Sequence, residues 1–471
     1  MADGIATSST ALHDLSAIDL LKGYEAKSFS PTEVLEDVLK HVEAWEPHIK
    51  ALYAFDPDGA RAAAKQSTER WHNKVPQGAL DGVPTTIKDN IATKGTPVPL
   101  GTAATTLTPA TVDAPPSARL REAGAVIFSK TTMPDYGMLS SGLSSFHPLT
   151  RNPWDLAMNP GGSSAGAGAA GAAGYGPLHL GTDIGGSVRL PACWCGLVAL
   201  KPSLGRIPVD PPYVGRCAGP MTRTVDDTAL MMSVLSLPDD RDGMSLPAAD
   251  IAWHDLAINL KGKRVGLMLD LGFGLPLEQA VRDVAISAAK AYESAGAIVT
   301  EVPSVMTGAM LIGLDAFWRA RSWDDISKLP PGQQAKILPF IFQWAEGGAR
   351  LSGVDVVRGF NATMAIRAEA AKLFANVDYV ISPIAPIVKY SAELPSPTND
   401  AQRPLEHIGY TVAWNMAENP AVSINGGYDT QGFPIGVQIV GKRFDDLGVL
   451  KMAKAFESLR GTQRPWPAMP A

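Results

Sequence analysis

Gly181-Thr182-Asp183-Ile184-Gly185-Gly186-Ser187-Val188-Arg189 places a serine directly after a pair of glycines, just downstream of a short apolar run that ends at Leu180. Glycines allow the backbone to turn sharply, and they bring several N–H groups close to whatever the serine hydroxyl attacks. We therefore interpret this stretch as the end of a strand followed by a tight turn that presents Ser187.

Two upstream features bear on the same chemistry. A second glycine-flanked serine lies in Gly161-Gly162-Ser163-Ser164, and Lys88 follows the strand-like run 83–87. The two serines bracket one Ala/Gly-rich element. If that element is a helix that runs back to the strand, both serines lie at the same edge of the sheet, where open α/β sheets place their sites. Glycine–serine turns are common in loops and strand-edge lysines are usually solvated, but the combination suggests serine hydrolysis without histidine.

Composition excludes several classes of function. The chain has 471 residues, a formal net charge of −6 and a pI near 5.8, which disfavours nucleic acid or an anionic membrane as partner. Residues 1–13 lack the basic start and apolar segment of a signal peptide, and no run is apolar enough to span a membrane. The three cysteines, an odd number, fit small core residues in a reduced compartment. We expect a cytoplasmic protein.

Strand-like and helix-like segments alternate along the chain, which predicts an α/β fold. Ser30-Pro31-Thr32-Glu33 reads as a capping box that opens a helix. Residues 308–375 are mostly helical in pattern, and they could cover a cleft or simply the sheet. The other segments are predicted as helices at 60–71, 117–123 and 277–294 and as strands at 83–87, 126–129, 264–269, 298–302, 377–381 and 436–440.

Three competing motifs have weaker support. The run Gly166 to Gly171 matches a dinucleotide fingerprint in letters, but no strand directly precedes it and no acidic residue follows at the required distance. Ser287 and Lys290 match a Ser-x-x-Lys pattern, but they lie on the polar face of an amphipathic helix. The chain lacks His-Glu-x-x-His and Gly-x-Ser-x-Gly patterns, so neither a metal site nor a Ser-His-Asp triad is expected.

Taken together, these motifs resemble the amidase signature family. The resemblance starts at Gly82-Val83-Pro84 with Lys88-Asp89, continues through Arg151-Asn152-Pro153-Trp154 and the two serine motifs, and extends into Lys201-Pro202-Ser203. It ends at the C-terminal run 432–438. The motifs occur in the family's order and cover nearly the whole chain.

The resemblance implies one domain over residues 1–471, with a mixed, twisted β-sheet flanked by helices and a helical segment at about 305–375 that could cover the substrate cleft. It also implies a Ser–cis-Ser–Lys triad. Ser187 would be the nucleophile, Ser163, after a cis peptide bond, the bridging serine, and Lys88 the base. The backbone amides of Ile184, Gly185, Gly186 and Ser187 would form the oxyanion hole, and Asp183 and Arg189 would brace the loop.

The activity implied is hydrolysis of an amide C–N bond in a small-molecule substrate, without cofactor or metal, by a monomer or homodimer. A carbamate (urethane) or aryl ester remains an alternative substrate, since each passes through an oxyanion. A subunit of a tRNA-dependent amidotransferase is a further alternative, disfavoured because Leu190 stands where that subunit usually has glutamine. Five residues before the signature could form an apolar pocket wall or ordinary packing: Met133, Tyr136, Met138, Leu139 and Phe146.

Overall fold

The computed structural model describes residues 11–470, built around an eleven-stranded mixed sheet. Its strand order is β1-β3-β2-β4-β6-β5-β10-β11-β9-β7-β8. The strands are β1 (Leu52–Tyr53), β2 (Pro84–Lys88), β3 (Val126–Thr131), β4 (Leu178–Asp183), β5 (Val198–Lys201), β6 (Cys217–Thr222), β7 (Arg264–Leu267), β8 (Ile298–Glu301), β9 (Tyr379–Pro383), β10 (Ala421–Tyr428) and β11 (Pro434–Gly441).

Parallel and antiparallel pairing occupy different parts of this sheet. β2 runs parallel to both of its neighbours, β3 and β4, and β7 runs parallel to both β8 and β9. The strands between these two groups pair antiparallel. The predicted α/β fold with a mixed sheet flanked by helices is therefore confirmed.

Several helices begin at residues with recognisable capping chemistry. Ser30 accepts a hydrogen bond from the Glu33 amide while Glu33 bonds back to the Ser30 backbone, as the capping-box pattern predicts. No helix among residues 11–470 is long and apolar enough to cross a membrane. The α-helices are α1 (Ala17–Glu25), α2 (Pro31–Ile49), α3 (Pro57–His72), α4 (Pro115–Glu122), α5 (Ala165–Ala173), α6 (Arg189–Cys195), α7 (Val225–Leu235), α8 (Gln279–Ser294), α9 (Gly308–Ser327), α10 (Pro331–Gln334), α11 (Pro339–Glu346), α12 (Gly353–Asn376), α13 (Gly409–Met416) and α14 (Asp446–Leu459).

Both faces of the sheet are covered, because alternate residues of the central strands enter different cores. Ile381 and Ile439 belong to the core under α7, α8 and α14. Val380 and Val440, their neighbours along β9 and β11, belong to the core under α9, α12 and α13. The segment 308–375 is helical as predicted, and it forms much of this second core.

The competing motifs have structural explanations in this fold. Every residue of α5 is buried. A Cβ on Gly166 would lie 2.2 Å from the Ala51 backbone oxygen, so the small residues allow α5 to pack tightly between neighbouring segments. On α8, Ser287 and Lys290 are exposed to solvent, which agrees with their position on the polar face of that helix.

Candidate active site

The site lies where the parallel strands β2 and β4 end side by side. Ile87 pairs with Leu180, so Lys88 at the end of β2 is next to Gly181 and Thr182 of β4. The Ile87 side chain enters the core, and the side chain of Lys88 therefore points to the opposite face of the sheet. Sheet position alone thus brings Lys88 to the loop that carries Ser187.

Ser163 reaches the same edge from the start of α5. The Gly162–Ser163 peptide bond is cis, and Gly161 adopts a positive φ of 83°. A Cβ on Gly161 would lie 2.6 Å from the Trp194 ring, so this close approach requires glycine. Ser163 therefore lies between Lys88 and a cavity that Ser187 also lines.

Lys88 is fully buried and donates three hydrogen bonds. Its Nζ lies 2.8 Å from Ser163 Oγ, 3.0 Å from Ser164 Oγ and 3.0 Å from Thr182 Oγ1. Burial lowers the pKa of Lys88 from 10.5 to about 7; the charge of Arg216 lowers it too, and the carboxylates of Asp183 and Asp89 oppose the shift. Near neutral pH this lysine is therefore available as a base.

The loop between β4 and α6 is organised by the buried carboxylate of Asp183. Asp183 accepts hydrogen bonds from the Gly186 amide at 2.8 Å and the Val188 amide at 3.2 Å. Arg189 adds a two-pronged contact at 2.9 and 3.0 Å, and Asn415 Nδ2 donates at 2.9 Å. Burial alone would raise the pKa of Asp183, but Arg189 and Asn415 outweigh it and hold that pKa below its usual value. The expected bracing residues thus form a buried ion pair beneath the loop.

The expectation that the Gly186 amide is an oxyanion-hole donor is corrected by its contact with Asp183. Because the Gly186 amide already donates to Asp183 Oδ1, it is not free to hold a substrate oxyanion. Within residues 11–470, the amides of Ile184, Gly185 and Ser187 donate to no other group. Three of the four expected donors are therefore available.

Ser187 opens onto a cavity of about 420 Å³ that also exposes Ser163. Its hydroxyl makes no hydrogen bond to another residue of the described chain. Trp318 of α9 lies against the loop, since a Cβ on Gly185 would be 3.4 Å from its ring. Trp344 of α11 lines the cavity as well, so the helical segment 308–375 supplies part of its wall.

Four of the five apolar residues expected at a pocket wall line this cavity: Met133, Tyr136, Met138 and Leu139. The fifth, Phe146, lies elsewhere. Its ring packs edge-on against Tyr53 at 5.7 Å and His147 at 4.9 Å. The expectation for Phe146 is therefore corrected: the chain turns after Leu139 and directs this ring toward β1 instead.

Four residues of the site have no role in the sequence-based expectation: two partners of Lys88 and two arginines that line the cavity. The other two hydroxyl partners of Lys88 are Ser164 and Thr182. Each lies in one of the two serine motifs, next to Ser163 and Asp183 respectively. The strand alternation of β4 places Thr182 on the face opposite the buried Asp183, a signal that could have identified it. Arg216 and Arg321, which also line the cavity, belong to no recognisable motif.

The chain is similar to an acylamidase and to an amidotransferase subunit along almost its entire length. An acylamidase from Rhodococcus erythropolis is 32% identical over 474 residues, covering 97% of this chain and 96% of the relative. A glutamyl-tRNA(Gln) amidotransferase subunit from Lachnospira eligens is 30% identical, covering 96% of this chain and 99% of the relative.

Solved structures support the same relationship. A bacterial aryl acylamidase of the amidase signature family is 29% identical and superposes with a TM-score of 0.88, covering 96% of this chain and 97% of the other. The family model for amidases matches residues 33–450. With that match, the mixed α/β fold and relatives that align from end to end, the chain belongs to the amidase signature family of amide hydrolases.

Proposed function

We propose that the chain hydrolyses amides through an acyl-enzyme on Ser187, with Lys88 as the base and Ser163 as the proton relay. The observation that supports this most directly is the 2.8 Å hydrogen bond between Lys88 Nζ and Ser163 Oγ at a cavity that also exposes Ser187. A serine hydroxyl needs such an adjacent base before it can attack a carbonyl.

The hydroxyl protons around Lys88 favour Ser163 as the partner of its lone pair. Ser164 Oγ donates to the Thr182 backbone oxygen at 3.2 Å, and Thr182 Oγ1 donates to Asn90 Oδ1 at 3.4 Å. Each of these hydroxyls thus has an acceptor of its own for its proton while its oxygen accepts from Lys88. When Lys88 is neutral, Ser163 is left as the hydroxyl that can donate to the Nζ lone pair.

The reaction then proceeds in two halves. Lys88 takes a proton from Ser163 as Ser163 takes one from Ser187, and Ser187 Oγ attacks the carbonyl carbon. The tetrahedral oxyanion is held by the free amides of Ile184, Gly185 and Ser187. As the C–N bond breaks, Lys88 returns the proton through Ser163 to the leaving amine. Water, activated by the same relay, releases the acid.

The relay requires the Ser187 hydroxyl to reach Ser163 Oγ, a contact that catalytic sites often complete only when substrate is bound. The cavity walls favour an apolar or aromatic substrate, because Trp318, Trp344 and Leu139 line it. Aryl amides are therefore the first substrates to test. Carbamates and aryl esters are the alternatives, since their oxyanions would occupy the same position.

The alternative of an amidotransferase component is kept because the relative from Lachnospira eligens aligns along nearly the whole chain. Such a component would release ammonia from glutamine. Turnover of glutamine at a rate exceeding that of anilides would favour this alternative, and its absence would favour the stand-alone hydrolase.

The proposed function is tested with the purified chain and a neutral anilide such as acetanilide. Ser187→Ala should lower kcat/KM by about 10⁴-fold or more, and Lys88→Met and Ser163→Ala should be strongly impaired as well. Ser287→Ala and Lys290→Met, which alter the exposed serine and lysine of α8, serve as matched controls and should leave the rate unchanged. Substantial activity in Ser187→Ala, or labelling of another serine by a fluorophosphonate, would contradict the assignment.

A further inference from the structure

Two guanidinium groups line the cavity without carboxylate partners. Arg216 and Arg321 are both half-buried, and across residues 11–470 no Asp or Glu oxygen lies within 4.0 Å of either one. Two carboxylates, Asp210 and Asp325, line the same cavity, but both side chains are exposed to solvent. Withdrawing a guanidinium from water without a partner is costly, so this arrangement calls for an explanation.

Arg216 lies beside the catalytic loop. It directly precedes Cys217, which pairs across the sheet with Asp183, the residue before the oxyanion loop. The Gly215 backbone oxygen accepts a hydrogen bond from Asn415 Nδ2 at 3.0 Å, which fixes the turn that carries Arg216. Among the described residues its guanidinium makes one hydrogen bond, from Nη1 to the Pro211 oxygen at 2.9 Å. Most of its five N–H donors therefore remain unused.

Arg321 approaches the same space from α9. Its guanidinium carbon lies 3.6 Å from the centre of the Tyr213 ring, and Tyr213 also lines the cavity. Stacking on an aromatic ring holds the guanidinium plane while leaving its edge free to donate hydrogen bonds. Burial lowers the pKa of Arg216 and the positive charge of Arg321 lowers it further, while the carboxylates of Asp210 and Asp242 oppose the shift. The two guanidinium groups are therefore close enough to repel each other.

We infer that Arg216 and Arg321 form a subsite for a carboxylate carried by the amide substrate. This inference rests on the proposed function, because it names the substrate class of the same cavity. A carboxylate matches the planar fork of a guanidinium and can accept from two of them at once. Its negative charge would reduce the repulsion between the two arginines and offset the free-energy cost of removing them from water. The substrates expected are amides with a second, anionic end.

The carboxylate could lie on either side of the scissile bond, and paired substrates distinguish the two cases. For the acyl side the pair is succinic acid monoanilide and its neutral counterpart 4-hydroxybutyranilide. For the amine side it is 4-acetamidobenzoate and 4-acetamidobenzyl alcohol. Release of the amine gives kcat/KM for each, and the ratio of anionic to neutral substrate is compared between variants so that intrinsic reactivity cancels.

On the side that carries the subsite, Arg216→Met and Arg321→Met should each lower the anionic-to-neutral ratio by about 10- to 100-fold, as expected for a lost charge-assisted hydrogen bond. Asp325→Asn, which removes a negative charge from the cavity rim, should raise it. Arg358→Met, an exposed arginine of α12 outside the cavity, is the control and should leave the ratio unchanged.

The outcomes separate this inference from the proposed function. If neutral anilides are cleaved but both arginine variants keep the wild-type ratio for both pairs, the carboxylate subsite is refuted and the hydrolase assignment stands. If no amide is cleaved, the proposed function fails, and calorimetric titration of the two carboxylates into Ser187→Ala tests the subsite alone. Binding that is equally tight in the Arg216→Met and Arg321→Met backgrounds would then refute it.

Discussion

Lowering the pH should inactivate the enzyme by protonating Lys88. Burial brings the pKa of this lysine to about 7 instead of 10.5, so the neutral form makes up about 50% at pH 7, ~9% at pH 6 and ~1% at pH 5. Since only the neutral amine can accept the Ser163 proton, kcat/KM should fall about tenfold per pH unit below 6.5 and level off above 8.

The assay measures kcat/KM for a neutral anilide from pH 5.5 to 9.5 at constant ionic strength, because this parameter reports the free enzyme. A buried carboxyl outside the site needs a control: burial raises the pKa of Asp227 to about 7, so its titration falls in the same range as that of Lys88. Asp227 accepts from the Ala17 and Ile18 amides at the start of α1 and does not line the cavity. Asp227→Asn should therefore keep the same acidic limb, and thermal unfolding at each pH checks that the protein stays folded.

A flat profile between pH 6 and 9 would refute Lys88 as the base. A rate that still rises about tenfold per pH unit up to pH 9.5 would refute the burial argument instead, because it would mean that the site does not lower the pKa of the lysine. If the limb near pH 7 disappears in Asp227→Asn, the loss of activity at low pH comes from unfolding linked to Asp227 and not from protonation of Lys88. The expected result is a limb near pH 7 that Asp227→Asn leaves in place.

Two further predictions concern the residues that support the site. Asp183→Asn should lower the free energy of unfolding by about 3–5 kcal/mol in a urea titration, because it leaves the fully buried Arg189 without its counter-charge. The control is Asp324→Asn, which breaks an exposed ion pair with Lys328 and should cost less than about 1 kcal/mol; equal effects of the two changes would contradict the argument. Gly166→Ala should cost about 1–3 kcal/mol by the same measurement because its Cβ would meet the Ala51 and Thr132 backbones, whereas Gly353→Ala, with nothing within 4 Å, should be tolerated.

Much of the fold could be predicted from local patterns. The capping box at Ser30 and the strand–helix–strand unit from 264 to 302 match the structure to within a few residues. β5 and β6 were not predicted. β6 reads Cys-Ala-Gly-Pro-Met-Thr, which lacks the β-branched residues typical of strands, and it forms because β4 and β5 flank it. The same pairing carries β4 beyond Leu180 to Asp183.

The meeting of Lys88, Ser163 and Ser187 at one place could be predicted because each stands in a motif with a local backbone requirement. The hydrogen bond of the Gly186 amide could not be predicted, because it requires the Asp183 side chain to fold back on its own loop. Phe146 shows the same limit for packing. An apolar residue near a signature is equally suited to a pocket wall and to the core, and the contacts with Tyr53 and His147 decide between them.

The residues proposed to select the substrate are far apart in the sequence and meet only in the folded chain. Arg216 comes from the β5–β6 loop and Arg321 from α9, and neither has a neighbouring sequence pattern that marks it. Their meaning depends on two facts of tertiary structure: both face the cavity that exposes Ser187, and neither has a carboxylate partner within the part of the chain that the structure describes. In contrast, Arg189, only two residues from Ser187, is fully paired with Asp183. An unpaired charge near the reacting groups is therefore a better indicator of what the substrate carries than closeness in sequence.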